Sequence, residues 1–272
     1  MYHTKLLLAL NCLPSTNCSD LIKLPVDSSF RLPLASVDAA INDDTICVYA
    51  SAPTFPHGQV DPIEGLSDIV LRHRAEKRTS GSGGGGGGSG SLLPGLHVDN
   101  CLGGVLLSHL SSLGLFNRPW DFLCPGVTSI SMDIHKYGYA AKGASTVTFR
   151  SNALRRACVH PVTNISGGFY VTPTLQGSRN GSLVASAWAT IKYVGRDGYE
   201  SSARRLNETL ISMKAAVRAT EGIRLLCDND LSIVTFTPED PAVPVSRITR
   251  AMDKRGWSMF SGVYCWPLTV CP

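Results

Sequence analysis

Apolar and polar positions along the chain switch between two periods. At 45–50 (TICVYA) a short β-rich run predicts a strand. Residues 62–78 follow, with proline in the first turn and Ile63, Leu66, Ile69 and Val70 at helical spacing. Residues 95–99 (GLHVD) predict a buried strand that emerges at Asp99, and 102–115 a helix. Two more strands are predicted at 128–132 and 146–149. Strands separated by helices imply βαβ units and a parallel sheet.

Beyond Gly168 the texture changes. Residues 182–194 and 199–220 predict two consecutive helices with 195–198 between them. Residues 223–227 and 231–236 then predict hairpin-like strands, and 245–255 a further helix. The pattern divides the chain into a larger unit over 1–167 and a smaller α+β unit, entered through the linking helices, over 168–272. At 79–91 the sequence reads TSGSGGGGGGSGS and takes up 8 of the 26 glycines. Glycine and serine bury too little surface to offset ordering entropy, so a flexible insertion is expected. A phosphate-cradling glycine loop would follow a strand and open a helix. This tract does the reverse.

Composition narrows the functional classes. The 272 residues are 43% apolar and 17% charged, an ordinary globular balance. The longest apolar run near the start, 6–10, is far short of the ~20 residues of a membrane-spanning helix. No signal peptide is predicted. Net charge is +4, and the densest basic stretch, Arg72 to Arg78, reads as a solvated helix end, so no nucleic-acid partner is expected. The nine cysteines are scattered without a C-x-x-C pair, which predicts free thiols and no metal site. The four N-x-S/T sequons (Asn17, Asn164, Asn180, Asn207) carry no weight without a secretory signal.

In open α/β sheets ligands bind at the carboxyl ends of strands. Asp99 and Lys136 both stand at such ends. A strand-end lysine and a strand-end carboxylate suit pyridoxal phosphate: the lysine forms a Schiff base with the aldehyde, and the carboxylate keeps the ring nitrogen protonated. Taken singly, each is more often a turn residue or a solvated side chain. No nucleophile elbow of the form G-x-S-x-G is present.

Four strings settle the choice: APTFPHG (52–58), HVDNCLGG (97–104), SISMDIHKYGYAAKG (129–143) and GGFYVTPTLQGSRNG (167–181). In this order they closely resemble the sphingosine-1-phosphate lyase branch of the pyridoxal-dependent decarboxylase family. The resemblance covers most of 45–78 and 95–256. It implies a fold-type I pyridoxal-phosphate-dependent transferase-like architecture: a mostly parallel sheet with helices on both faces, here incomplete, plus part of a smaller C-terminal domain. It implies pyridoxal 5'-phosphate as cofactor and a retro-aldol cleavage of phosphorylated sphingoid bases to a long-chain aldehyde and phosphoethanolamine. Amino-acid decarboxylation is the runner-up chemistry, disfavoured by Cys101-Leu-Gly-Gly.

Residue by residue, the resemblance makes Lys136 the Schiff-base lysine, Asp99 the partner of the ring nitrogen and His135 a neighbour of the cofactor phosphate. His57, in F-P-H-G, joins the cofactor-binding set. Lys142 and Arg179 are cations suited to a phosphate. Lys136, Lys142 or Tyr170 could move protons, and the sequence leaves that choice open. Cys101 is either a catalytic-site cysteine or a small buried hydrophobe. Tyr137 and Tyr139 read as packing residues, His97 as a strand histidine on the same face as Asp99, and His109 receives no role. The resemblance also implies a homodimer and an endoplasmic reticulum membrane location with the catalytic domain facing the cytosol. Family members are longer at both ends and carry their membrane anchor upstream. The chain therefore reads as a portion without that anchor, either working within a larger assembly or a catalytically silent copy that associates with full-length subunits. In this reading His3 is the candidate for the ring-stacking histidine. Ala141 and Asn180 stand where the family usually has proline.

Overall fold

A computed structural model describes residues 5–10, 19–55, 57–79, 94–173 and 177–261. His3 and residues 80–91 of the glycine tract lie outside the described residues. The chain begins with two strands, β1 (Lys5–Leu10) and β2 (Ser19–Leu24), and a short helix, α1 (Leu34–Ala40). The predicted alternation then follows: β3 (Cys47–Ser51), α2 (Ile63–Thr79), β4 (Gly95–Asp99), α3 (Gly104–Ser112), β5 (Val127–Asp133) and β6 (Ser145–Phe149). The six strands form one sheet in the order β2-β1-β3-β4-β5-β6. Its centre, β3-β4-β5, is parallel, while β1 and β6 flank it antiparallel.

The parallel centre follows from its connections. An α-helix after β3 and another after β4 return the chain to the same edge of the sheet. Val48, Ala50, Leu96, Val98, Val127 and Ile130 are buried on this sheet and pack with Leu66 and Val70 of α2 and Leu106, Leu107 and Leu110 of α3. β3 alternates strictly between buried and half-buried positions, and β4 does so from Leu96 onward. β4 begins at the amino edge of the sheet, with residues 80–93 between it and α2 in the chain. Asp99 ends β4 at the opposite, carboxyl edge.

The basic stretch at the end of α2 departs from expectation. Arg74 is not solvated but 5% exposed. Its guanidinium donates to the carbonyls of Pro94 (2.9 Å) and Gly126 (3.0 Å), just ahead of β4 and β5. Ser67, two turns earlier, accepts from the Gly126 amide at 2.8 Å. Burial pushes the Arg74 pKa down to about 10. One buried arginine thus registers two strands, which the charge pattern alone conceals.

After β6 come the short helix α4 (Asn152–Ala157), capped by Ser151, and an exposed hairpin of β7 (His160–Ile165) and β8 (Gly168–Thr172). The sequence pattern missed both, along with β1, β2 and α1. The two predicted long helices are present as the two halves of α5 (Gly181–Ala219), separated at Gly195, where the backbone is non-helical (φ 63°, ψ 177°). A positive φ there suits glycine, which has no Cβ to clash. Asn180 caps α5 by accepting from the Ser182 amide at 2.9 Å, so the residue standing where proline was expected starts the helix. The chain closes with a small hairpin of β9 (Ile223–Leu225) and β10 (Phe236–Pro238), then α6 (Val245–Asp253).

Asp230 ties this last unit to the sheet. Its carboxylate accepts from Arg31 (3.2 and 3.3 Å), Arg118 (2.7 Å) and the Val60 amide (3.0 Å). Gly58 completes the seam, its carbonyl accepting from the amides of Asp230 and Leu231, both at 3.0 Å.

Two glycines separate packing from helix propensity. A Cβ at Gly103 would lie 2.1 Å from the Ala52 carbonyl oxygen and 2.6 Å from Asn100 Oδ1, whereas one at Gly181 would meet nothing within 4 Å. Gly103→Ala is expected to lower unfolding free energy by about 2 kcal/mol in chemical denaturation, while Gly181→Ala leaves it unchanged or slightly raised. Equal effects would show that the approach of α3 to the turn after β3 is not tight.

Candidate active site

The parallel register builds a polar patch on one face of the sheet. Tyr49, His97 and Ser129 stand abreast on β3, β4 and β5, and Ser51, Asp99 and Ser131 form the next row. Two residues further along β5 comes Asp133, paired in register with Ser145 of β6. Each strand contributes every second residue, so the apolar core fills one face and these groups share the other.

Asp99 is the most heavily bonded of them. Tyr49 donates its hydroxyl to Oδ2 at 2.8 Å, while Oδ1 accepts from the Cys101 amide (3.0 Å) and the Ser131 hydroxyl (3.2 Å). Burial pushes the Asp99 pKa up, but these bonds, helped by the nearby Cys101 thiol, outweigh it and hold the carboxyl below its ordinary value. Burial, reinforced by the nearby Asp99 charge, pushes the Tyr49 phenol far above its usual range, so it remains a donor.

Lys136 follows β5 by three residues. Its Nζ lies 3.0 Å from Asp133 Oδ2. Cys101 lies between the two predicted groups through its backbone: its amide donates to Asp99 Oδ1 and its carbonyl accepts from the Asp133 amide at 3.2 Å. Burial pushes its thiol pKa up, with the Lys136 bond opposing, so the thiol form that can donate is favoured. Burial also opposes the charge on Lys136, yet Cys101 and Asp133 prevail and raise its pKa. The ammonium form is thereby held ready beside a carboxylate.

His135 is oriented by the chain itself. Its Nδ1 donates to the Ala144 carbonyl at 2.8 Å, and its Nε2 lies 3.8 Å from Asp133 Oδ2. The structure thus brings Lys136, Asp99, Cys101 and His135 together at the carboxyl edge. His57 is placed elsewhere: fully buried after β3, its ring stacked on Phe30 at 4.0 Å and its carbonyl accepting from Cys227. Lys142 is exposed in the turn before β6, Tyr170 is 44% exposed on β8, and Arg179 is exposed ahead of α5. The described hydrogen bonds and ion pairs do not join Lys142 or Tyr170 to the cluster. Tyr137 packs on the core and Tyr139 stacks on Tyr199, as packing residues should. His109 also stacks on Tyr199, at 5.2 Å.

Sequence reasoning missed Tyr49, Ser131 and Asp133. The alternation Ser129, Ser131, Asp133 within SISMD carried a usable signal, since these positions share a face. Tyr49 carried none, because only the register between β3 and β4 sets it beside Asp99.

The donor set fits pyridoxal phosphate: an anionic carboxylate held by three hydrogen bonds, and a primary amine paired with a second carboxylate at the next strand end. Among the described residues no group of side chains could hold a metal ion.

Residues 17–238 match the pyridoxal-dependent decarboxylase conserved domain. The chain is 37% identical over 237 residues to sphingosine-1-phosphate lyase of Arabidopsis thaliana, covering 87% of this chain and 40% of that protein. The solved sphingosine-1-phosphate lyase of Burkholderia pseudomallei superposes with a TM-score of 0.75 at 36% identity, over 88% of this chain and 50% of that one. A glutamate decarboxylase from Lactobacillus brevis, 21% identical, shares the fold with a TM-score of 0.70 over 86% of this chain and 51% of that one. The chain spans about 40% of the length of the curated relatives it matches.

Asp133→Asn removes the carboxylate that favours the charged form of Lys136. The Lys136 pKa should fall, and its labelling by an amine-directed acylating reagent at pH 8, read by mass spectrometry, should become severalfold faster. Unchanged labelling would mean that Asp133 does not govern the protonation of Lys136.

Proposed function

Because the chain belongs to the pyridoxal-dependent decarboxylase family, whose cofactor is pyridoxal phosphate and whose fold is the fold-type I arrangement, we propose that it performs the sphingosine-1-phosphate lyase reaction. In this reading a phosphorylated sphingoid base is cleaved between the amine-bearing and hydroxyl-bearing carbons to a long-chain aldehyde and phosphoethanolamine. The observation that carries it is the placing of Lys136, paired with Asp133 at 3.0 Å just beyond β5, beside the hydrogen-bonded Asp99 that ends neighbouring β4.

When bound, the cofactor supplies an electron sink for the pair left on carbon by bond cleavage. The chain's residues do the rest. Lys136 Nζ would hold the cofactor's aldehyde carbon and must first give up the proton that Asp133 and Cys101 favour. Asp99, anionic and fixed in orientation, would stabilise the positive charge of a protonated ring nitrogen. As a free amine, Lys136 would be able to carry protons, with Asp133 holding its Nζ in place. His135, anchored through Ala144, is assigned to the cofactor side of the site, and His57 to the support of the turn after β3. Lys142 and Arg179 are assigned to phosphate groups, and Tyr170 to proton transfer beside Lys136 or Lys142.

We further infer a homodimer, a division of the chain near 167–168 into cofactor-binding and smaller C-terminal units, and an endoplasmic reticulum membrane setting with the site on the cytosolic side. Exposure of Phe169 (70%) and Tyr170 (44%) on the β7-β8 hairpin supports a partner subunit covering that surface. Among the described residues no helix is long and apolar enough to cross a membrane, so the membrane setting rests on the lyase resemblance.

Addition of pyridoxal phosphate to the purified chain should produce a visible absorption band that is lost in Lys136→Ala. Incubation with a phosphorylated sphingoid base should then release a long-chain aldehyde and no carbon dioxide. Absence of the band in folded protein overturns the cofactor assignment, and carbon dioxide in place of aldehyde overturns the lyase reading in favour of amino-acid decarboxylation.

A further inference from the structure

The carboxylate at the end of β4 is embedded in a polar ladder that the lyase reading does not require. Tyr49 reaches it from β3, Ser131 from β5 and Cys101 from the following loop. Behind Ser131 stands His97, whose Nε2 lies 3.3 Å from the Ser131 hydroxyl and whose Nδ1 lies 2.8 Å from the Ser129 hydroxyl. Ser131 spends its proton on Asp99, so it must accept from His97 Nε2–H, and Nδ1 then accepts from Ser129. The protons thus run in one direction, Ser129 to His97 to Ser131 to Asp99. The Tyr49 and His97 rings lie 5.0 Å apart, closing the patch from the side.

We propose that Tyr49, and His97 acting through Ser131, are positioning residues that keep Asp99 an oriented, weakly basic anion and so limit how strongly it holds a proton on the cofactor's ring nitrogen. This inference rests on the cofactor reading above. Hydrogen bonds donated to a carboxylate stabilise its charged form, so each donor removed makes it a stronger base. The ionisable groups around Asp99 act in concert: burial keeps His97 neutral despite the nearby charge, the Tyr49 phenol stays protonated, and Cys101 carries a thiol proton next to Lys136. In the neutral ring Nδ1 accepts from Ser129; protonation there would reverse only that link and leave Nε2–H donating to Ser131.

The acidity of Asp99 can be read in the cofactor-free chain by carbon NMR of its carboxyl group, assigned with Asp99→Asn. Tyr49→Phe, which deletes only a hydroxyl, and Ser131→Ala should each raise the Asp99 pKa by about one unit, a tenfold change in its acid constant. His97→Leu, with Ser131 intact, should raise it by less. With pyridoxal phosphate labelled with nitrogen-15 in the ring, the ring nitrogen should lose its proton at a higher pH in Tyr49→Phe than in the unmodified chain. An Asp99 titration unmoved by Tyr49→Phe and Ser131→Ala overturns the proposal. If the carboxylate shifts and the ring nitrogen does not, the ladder orders Asp99 without tuning the cofactor, which also overturns it. Failure of the unmodified chain to bind pyridoxal phosphate sinks the cofactor reading and the ring-nitrogen half of the proposal with it, while the carboxyl titration still decides the ladder.

Discussion

Everything at this site depends on the register of three parallel strands. Ser51, Asp99 and Ser131 stand abreast, and Tyr49, His97 and Ser129 stand abreast one step behind. A slip of one residue in any strand would turn its polar row into the apolar core and its apolar row outward. The register is enforced from both sides. On the core side, Val48, Val98 and Ile130 are buried beneath α2 and α3. From the amino edge, Arg74 and Ser67 of α2 fix the backbone that enters β4 and β5. A buried arginine satisfying two carbonyls is costly to leave half-paired, so it rejects misaligned entry more strongly than apolar packing alone.

The approach of α3 to the turn after β3 is the second constraint. Gly103 lets the helix start against the Ala52 carbonyl, and the Ala52 amide donates to the Asp99 carbonyl at 2.8 Å. The two glycines that close HVDNCLGG are therefore steric requirements of the same corner that carries Asp99 and Cys101. Gly104 faces the Met132 side chain in the same way. At the other end of that turn, Asp230 gathers Arg31, Arg118 and the Val60 amide, so the C-terminal unit braces the segment leading out of β3.

The sheet centre was legible in the sequence because its strands alternate cleanly and its helices repeat at 3.6 residues. The elements that were not legible have local reasons. β1 reads as a bare apolar run, α1 and α4 are only seven and six residues long, and the β7-β8 hairpin is almost wholly exposed, so no apolar face marks it. Lys136 and Asp99 were recognisable from their motifs and strand-end positions. Tyr49 was not, because its role arises from pairing between strands nearly fifty residues apart. Arg74 was misread for a related reason: its carbonyl partners lie 20 and 52 residues away, and charge counting cannot see them.

The glycine tract lies in the chain between α2 and β4, and β4 begins at the amino edge of the sheet, while the reactive groups stand at the carboxyl edge. Loop-closure entropy grows only logarithmically with length, about 0.6 kcal/mol for each doubling. Lengthening or shortening this connection therefore carries little penalty in stability, whereas at Gly103 a single added methyl group would meet the Ala52 carbonyl.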